Sequence, residues 1–66
     1  VEVFLNGERR QAPAGATVLE LLRELEIDPA RVAIEFNREI LRREHWATTR
    51  VQGGEQIEIV HFVGGG

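Results

Sequence analysis

The chemistry in this chain gathers in its last ten residues, Ile57-Glu58-Ile59-Val60-His61-Phe62-Val63-Gly64-Gly65-Gly66. A run of strand-forming residues passes directly into three glycines. Glycine loses more conformational freedom on ordering than any other residue and has no side chain to pack, so such a tail is expected to stay flexible. Read as the end of the chain, Gly66 offers one reactive group, its carboxylate. A carboxylate with a reference pKa of about 3.5 is ionised at neutral pH and is a poor electrophile. Converted to a mixed anhydride it becomes a good one, and a terminal residue without Cβ leaves the carbonyl open from either face. Three extended glycines reach about 10 Å, enough to enter another protein's active site while the body stays outside.

The rest of the composition suits that reading. The chain has 66 residues, eight basic against eleven acidic, and a net charge of −3, which argues against a dedicated nucleic-acid binder. All the basic residues are arginine, for which codon bias or a thermophilic source is the simplest explanation. With neither lysine nor cysteine, no side-chain amine or thiol can trap an activated terminus, and no disulfide or thiolate metal site can form. No apolar run approaches membrane-spanning length and no signal-peptide pattern opens the sequence, so a soluble, cytoplasmic protein without membrane partners is expected.

Other candidates for chemistry are weaker. His45 and His61 are lone histidines with no carboxylate or second ligand at metal spacing, so neither is given a catalytic or metal role. The pairs Arg9-Arg10 and Arg42-Arg43 read as solvated surface. The three final glycines could equally be a frayed end. A phosphate-cradling glycine loop is excluded, because a helix N-terminus would have to follow.

The elements that must position the tail are legible in order. Val1, Val3 and Leu5 alternate with Glu2, Phe4 and Asn6 as a strand. Asn6-Gly7 is a strong hairpin signal, and Glu8 to Ala12 return as a polar strand near an edge. Thr17-Val18-Leu19-Glu20 is a capping box. It opens a helix of roughly 8 to 10 residues whose apolar stripe is Val18, Leu21, Leu22 and Leu25. Asp28-Pro29 ends any continuation. Val32, Ile34 and Phe36 form a third strand, and Glu39-Ile40-Leu41 a brief fourth after Asn37-Arg38. Arg42 to Arg50 is an irregular or single-turn connection anchored by Trp46, a large aromatic expected in the core. Gly53-Gly54 turns into the final strand, which is expected in mid-sheet beside the first. This order predicts an α+β fold of the β-grasp, ubiquitin-like kind: a mixed sheet of four or five strands packed on one helix, with residues 1–63 as the domain and 64–66 as the glycine tail.

Over essentially its whole length the chain resembles the ThiS family, the sulfur carriers of thiamine thiazole biosynthesis. The resemblance rests on Asn6-Gly7-Glu8, Gly15-Ala16-Thr17-Val18, Trp46-Ala47-Thr48-Thr49 and, most specifically, Ile57 through Gly66 with its Val-Gly-Gly-Gly ending. Arg38 departs from the pattern, which usually has glycine after the asparagine, so the resemblance leaves the geometry of that turn open, though not the function. The resemblance implies that a ubiquitin-activating-type enzyme adenylates Gly66 with ATP and Mg²⁺. Sulfur from a persulfide donor then replaces the adenylate to give a thiocarboxylate, which is delivered to thiazole synthase. The chain would be a cosubstrate, neither an enzyme nor the holder of a bound cofactor or metal.

Two further expectations concern partners. If Val3, Leu5, Ile57 and Ile59 face the helix, alternation turns Phe4, Val60 and Phe62 outward as a docking patch. The competing functions are a carrier like MoaD, the molybdopterin-synthase small subunit, a ubiquitin-like modifier ending in an amide to another protein, and an interaction domain with an idle tail.

Overall fold

The computed structural model describes residues 1–63. Strand β5 (Gln56–His61) runs through the middle of a five-stranded sheet in the order β2-β1-β5-β3-β4. Strand β1 (Glu2–Leu5) lies parallel to it on one side and β3 (Val32–Phe36) antiparallel on the other. Strands β2 (Glu8–Gln11) and β4 (Glu39–Leu41) complete antiparallel hairpins with β1 and β3 and form the edges. All four residues of β2 are exposed, as its polar sequence predicts. The parallel β1–β5 pair requires a long crossover, and the intervening chain supplies it with helix α1 (Val18–Glu24) and the second hairpin.

Both hairpin turns are two residues long and use positive φ at each. Asn6 and Gly7 sit at 49° and 82°, and Asn37 and Arg38 at 52° and 70°. Each asparagine also reaches across to β5. The Asn6 Oδ1 accepts from the Ile59 N–H at 2.7 Å and its Nδ2 donates to the Ile59 carbonyl at 3.3 Å. Asn37 Oδ1 accepts from the Gln56 N–H at 3.0 Å, while the Asn37 N–H donates to the Gln56 carbonyl at 2.7 Å. The central strand is thus gripped from both flanks by turn side chains that extend the backbone ladders.

Helix α1 begins as the sequence predicts. The Thr17 hydroxyl accepts from the Glu20 N–H at 3.1 Å and the Thr17 N–H donates to Glu20 Oε1 at 2.8 Å, a complete capping box. The Thr17 backbone N–H, and after it the Thr17 side chain, hold the Glu20 carboxyl below the usual carboxylate range. The helix is seven residues long, shorter than its apolar stripe suggests. It closes in a Schellman arrangement: the Ile27 N–H donates to the Leu22 carbonyl at 2.9 Å and the Glu26 N–H to the Arg23 carbonyl at 3.0 Å. Glu26 occupies the left-handed position, φ 58°, that glycine usually fills. Pro29–Arg31 follow as a 3-10 turn capped by Asp28, whose carboxylate accepts from the Ala30 N–H at 3.0 Å.

The core lies between α1 and one face of the sheet. Val3, Val32, Ile34, Ile57 and Ile59 point into it from the strands, and Val18, Leu21 and Leu22 from the helix. The alternation places these residues inward together, as expected, with Leu5 partly buried against them. Trp46 closes one side at 3% exposure, its Nε1–H donating to the Leu41 carbonyl at 2.8 Å. The indole satisfies its polar atom while it fills space, so the Arg42 to Arg50 connection, which contains a 3-10 turn at Arg43–His45, is tied down at its centre.

Candidate functional site

Strand β5 is the element that delivers the tail. Its last pairing is His61 opposite Val32, and one residue later the Phe62 N–H donates to the Arg31 carbonyl at 2.9 Å. The chain then leaves the body: Phe62 is 59% and Val63 96% exposed. Gly64, Gly65 and Gly66, the tail and the carboxylate singled out from the sequence, lie outside the described residues.

The root of the tail is built from three segments. Arg31 belongs to the 3-10 turn of Pro29–Arg31, so the carbonyl that receives Phe62 is fixed by a local bend. Arg43 reaches over from the connection. Its Nη1 donates to the Pro29 carbonyl and its Nη2 to the Val32 carbonyl at 3.1 Å. Its guanidinium lies 4.6 Å from the centre of the Trp46 ring, a cation–π geometry. The sequence reading of Arg42-Arg43 as solvated surface therefore separates the two. Both are exposed, as expected, but Arg42 pairs with Glu44 at 3.2 Å, a contact of little energetic weight, whereas Arg43 also binds backbone. The signal for Arg43 in the sequence was its three-residue spacing from Trp46.

The outer sheet face, away from α1, carries the apolar side chains expected there. Val60 is 48% exposed and stands opposite Ala33, with Phe62 two residues further along the same face. Ile40, 71% exposed on β4, lies opposite Glu35, which itself lies opposite Glu58. Phe4 also points outward but does not join Val60 and Phe62. The parallel register sets Phe4 opposite Gln56, about 13 Å along the strand from Val60 at roughly 3.3 Å per residue. It lines a separate shallow hollow with Gly7, Gln56, Ile57 and Glu58. The expected patch of three is thus two features at opposite ends of β5. Alternation fixes which face a side chain takes, but the pairing offset across a crossover does not follow from it.

His45 and His61 are both exposed. The His45 carbonyl accepts from the Thr49 hydroxyl at 2.8 Å, a backbone role in the connection. Among the described residues no group of three His, Cys, Asp or Glu is placed to hold a metal ion, and no helix is long and apolar enough to cross a membrane.

Known proteins place this geometry in context. A family model described as the ThiS family matches residues 3–66. The sulfur carrier protein ThiS of Escherichia coli is 38% identical over 66 residues, covering all of both chains. A thiazole synthase of Paramagnetospirillum magneticum is 42% identical over all of this chain, which spans only 20% of that protein's length. A thiazole synthase of Magnetococcus marinus gives the same picture at 41% identity and 20% of its length. The crystal structure of a thiamine biosynthesis protein (ThiS) from Geobacter metallireducens superposes with a TM-score of 0.87 at 32% identity, covering all of both chains. The five-stranded mixed sheet on one helix is therefore the β-grasp architecture of that protein.

Proposed function

We propose that this chain, which belongs to the ThiS family, is a sulfur carrier for thiazole formation and that the carboxylate of Gly66 is its working group. The observation that carries the reading is the handover at the end of β5. The best-held strand of the sheet passes in two exposed residues, Phe62 and Val63, into Gly64-Gly65-Gly66. The body fixes where the tail starts and adds no bulk to the glycines themselves.

In this reading an adenylating enzyme of the ubiquitin-activating type couples Gly66 to ATP, with Mg²⁺ held by that enzyme, and releases pyrophosphate. A persulfide then attacks the acyl carbon, a C–S bond forms and AMP leaves with the carboxyl oxygen. A thiol supplies the electron pair that cleaves the remaining S–S bond, leaving the thiocarboxylate. Thiazole synthase is the acceptor, a partnership supported by the alignment of this whole chain with a fifth of two proteins named thiazole synthase. The chain serves as cosubstrate rather than catalyst, in the cytoplasm. Val60 and Phe62 form its docking surface for the adenylating enzyme, and Phe4 is a second, separate contact.

The test is the intact mass of the protein after incubation with its adenylating enzyme, ATP, Mg²⁺ and a persulfide source. Neither methionine nor cysteine occurs, so oxidation that would mimic oxygen-to-sulfur exchange is confined mainly to Trp46. A shift that fragmentation places on Gly66 is the expected result. An unshifted mass, or an amide adduct to a second protein, overturns the carrier reading, the latter in favour of a modifier.

A further inference from the structure

We infer that Arg43 is a positioning residue for the tail: by holding the carbonyls on either side of Arg31, it fixes the point and direction from which Phe62 and Val63 leave the body. The role in the reaction rests on the carrier reading above, whereas the hold on the tail root does not.

Among the described residues, the last backbone hydrogen bond from the end of β5 to the body is Phe62 N–H to the Arg31 carbonyl at 2.9 Å. That carbonyl is only as well placed as the short turn that bears it. The turn is exposed, and its other side-chain supports are Asp28 Oδ1 on the Ala30 N–H and an open Asp28–Arg31 ion pair at 3.5 Å. Arg43 adds a rigid brace. One guanidinium nitrogen takes the Pro29 carbonyl and another the Val32 carbonyl, so a single planar group spans the turn and the first residue of β3. The guanidinium carbon lies over the Trp46 ring, which is itself buried and hydrogen-bonded to Leu41. The brace thus runs from the core through the indole and the guanidinium to the turn, and from the turn to Phe62. Arginine suits this position because its fork holds two acceptors in fixed geometry while its face stacks; a lysine ammonium does neither. Val60 stays in the ladder opposite Ala33 when the brace is lost, whereas Phe62 belongs both to the outer face and to the tail root, so the loss changes where the tail points and disturbs one of the two docking side chains.

Displacing a reacting group by about 1 Å can cost on the order of 100-fold in rate. About a tenfold loss in kcat, below that ceiling, is expected. The experiment compares Arg43→Ala and Arg43→Lys with the parent. Amide hydrogen exchange is read at Phe62 relative to Ile57 and Ile59, and carrier-dependent pyrophosphate release by the adenylating enzyme gives kcat and KM. Thr17→Ala is the control, a destabilised domain with an intact tail root. Expected are exchange at Phe62 faster by about tenfold or more while Ile57 and Ile59 keep their protection, and a kcat lowered by a larger factor than the KM for the carrier is raised. The Lys variant, which keeps the stem and the charge, covers the case in which Ala does not fold. Unchanged Phe62 exchange overturns the proposal, and so does a kcat equal to that of Thr17→Ala. If the parent itself forms no adenylate the carrier reading fails, and the hold on the tail root is then decided by Phe62 exchange alone.

Discussion

Asn6 offers the sharpest test of how the central strand is held. Its side chain makes two hydrogen bonds to the backbone of Ile59, at 2.7 and 3.3 Å, and its φ of 49° lies in the left-handed region. The two contributions can be separated by two substitutions. Asn6→Gly removes both hydrogen bonds and keeps a residue at ease with positive φ. At about 1 kcal/mol net per bond, less for the longer one, and about 0.5 kcal/mol for the freer unfolded chain, the loss is about 2 kcal/mol. Asn6→Ala loses the same bonds and keeps a Cβ in the left-handed region without the local hydrogen bonding that lets asparagine adopt it, for a total of about 3 kcal/mol. A domain of this size has a total stability of about 3–10 kcal/mol, so either change is a large fraction of it. The assay is equilibrium urea unfolding, with amide exchange at Ile59 as the local readout; the midpoint should fall for both variants with an unchanged slope. The reasoning is refuted if Asn6→Gly matches the parent and only Asn6→Ala is destabilised, because the asparagine would then serve the turn and not the strand.

Two left-handed positions occupied by long side chains, Arg38 at φ 70° and Glu26 at φ 58°, should be improved by glycine. For each, relief of about 1–2 kcal/mol of strain less about 0.4–1 kcal/mol of unfolded-chain entropy predicts a gain of about 0.5–1 kcal/mol, read as a rise in Tm of several degrees. Glu20 has its folded pKa lowered by Thr17, so its contribution is present above the unfolded value and is lost as pH falls through the folded one. Glu20→Gln should therefore flatten the acid limb of a stability-against-pH curve measured by urea unfolding, and a limb identical to the parent's would contradict the capping role. Phe62→Asp, at a side chain 59% exposed, should leave Tm within a few degrees while raising the KM for carrier in the adenylation assay. Unchanged kinetics would remove the outer face from the docking surface.

Much of this architecture was legible because its signals are local. Thr17 and Glu20 announce the helix start, Asn6-Gly7 the first hairpin, and the alternation of Val32, Ile34 and Phe36 the third strand. The isolated indole of Trp46 could only anchor the connection that carries it. What was not legible depends on pairing at a distance or on a residue in an uncharacteristic place. The helix ends at Glu24 because Glu26 takes a left-handed position without the glycine that would advertise it. Phe4 falls away from Val60 and Phe62 because the parallel offset of β1 against β5 is set by the crossover as a whole. Arg43 was missed because a charged residue beside another charged residue reads as surface, and only the folded connection brings it to the carbonyls of Pro29 and Val32.

The central place of β5 has a mechanical consequence. In the proposed role, a partner drawing the glycines into its active site would load the chain at the end of this strand, and a pull along the strand axis has a definite effect. Hydrogen bonds in a sheet run across the strands, so such a pull loads the rungs to β1 and β3, and the two asparagine grips, in shear and all together. An edge strand peeled from one end would break the same kind of bonds one at a time. A tail attached to β2 or β4 would be held by the rungs to one neighbouring strand, where β5 is held by two.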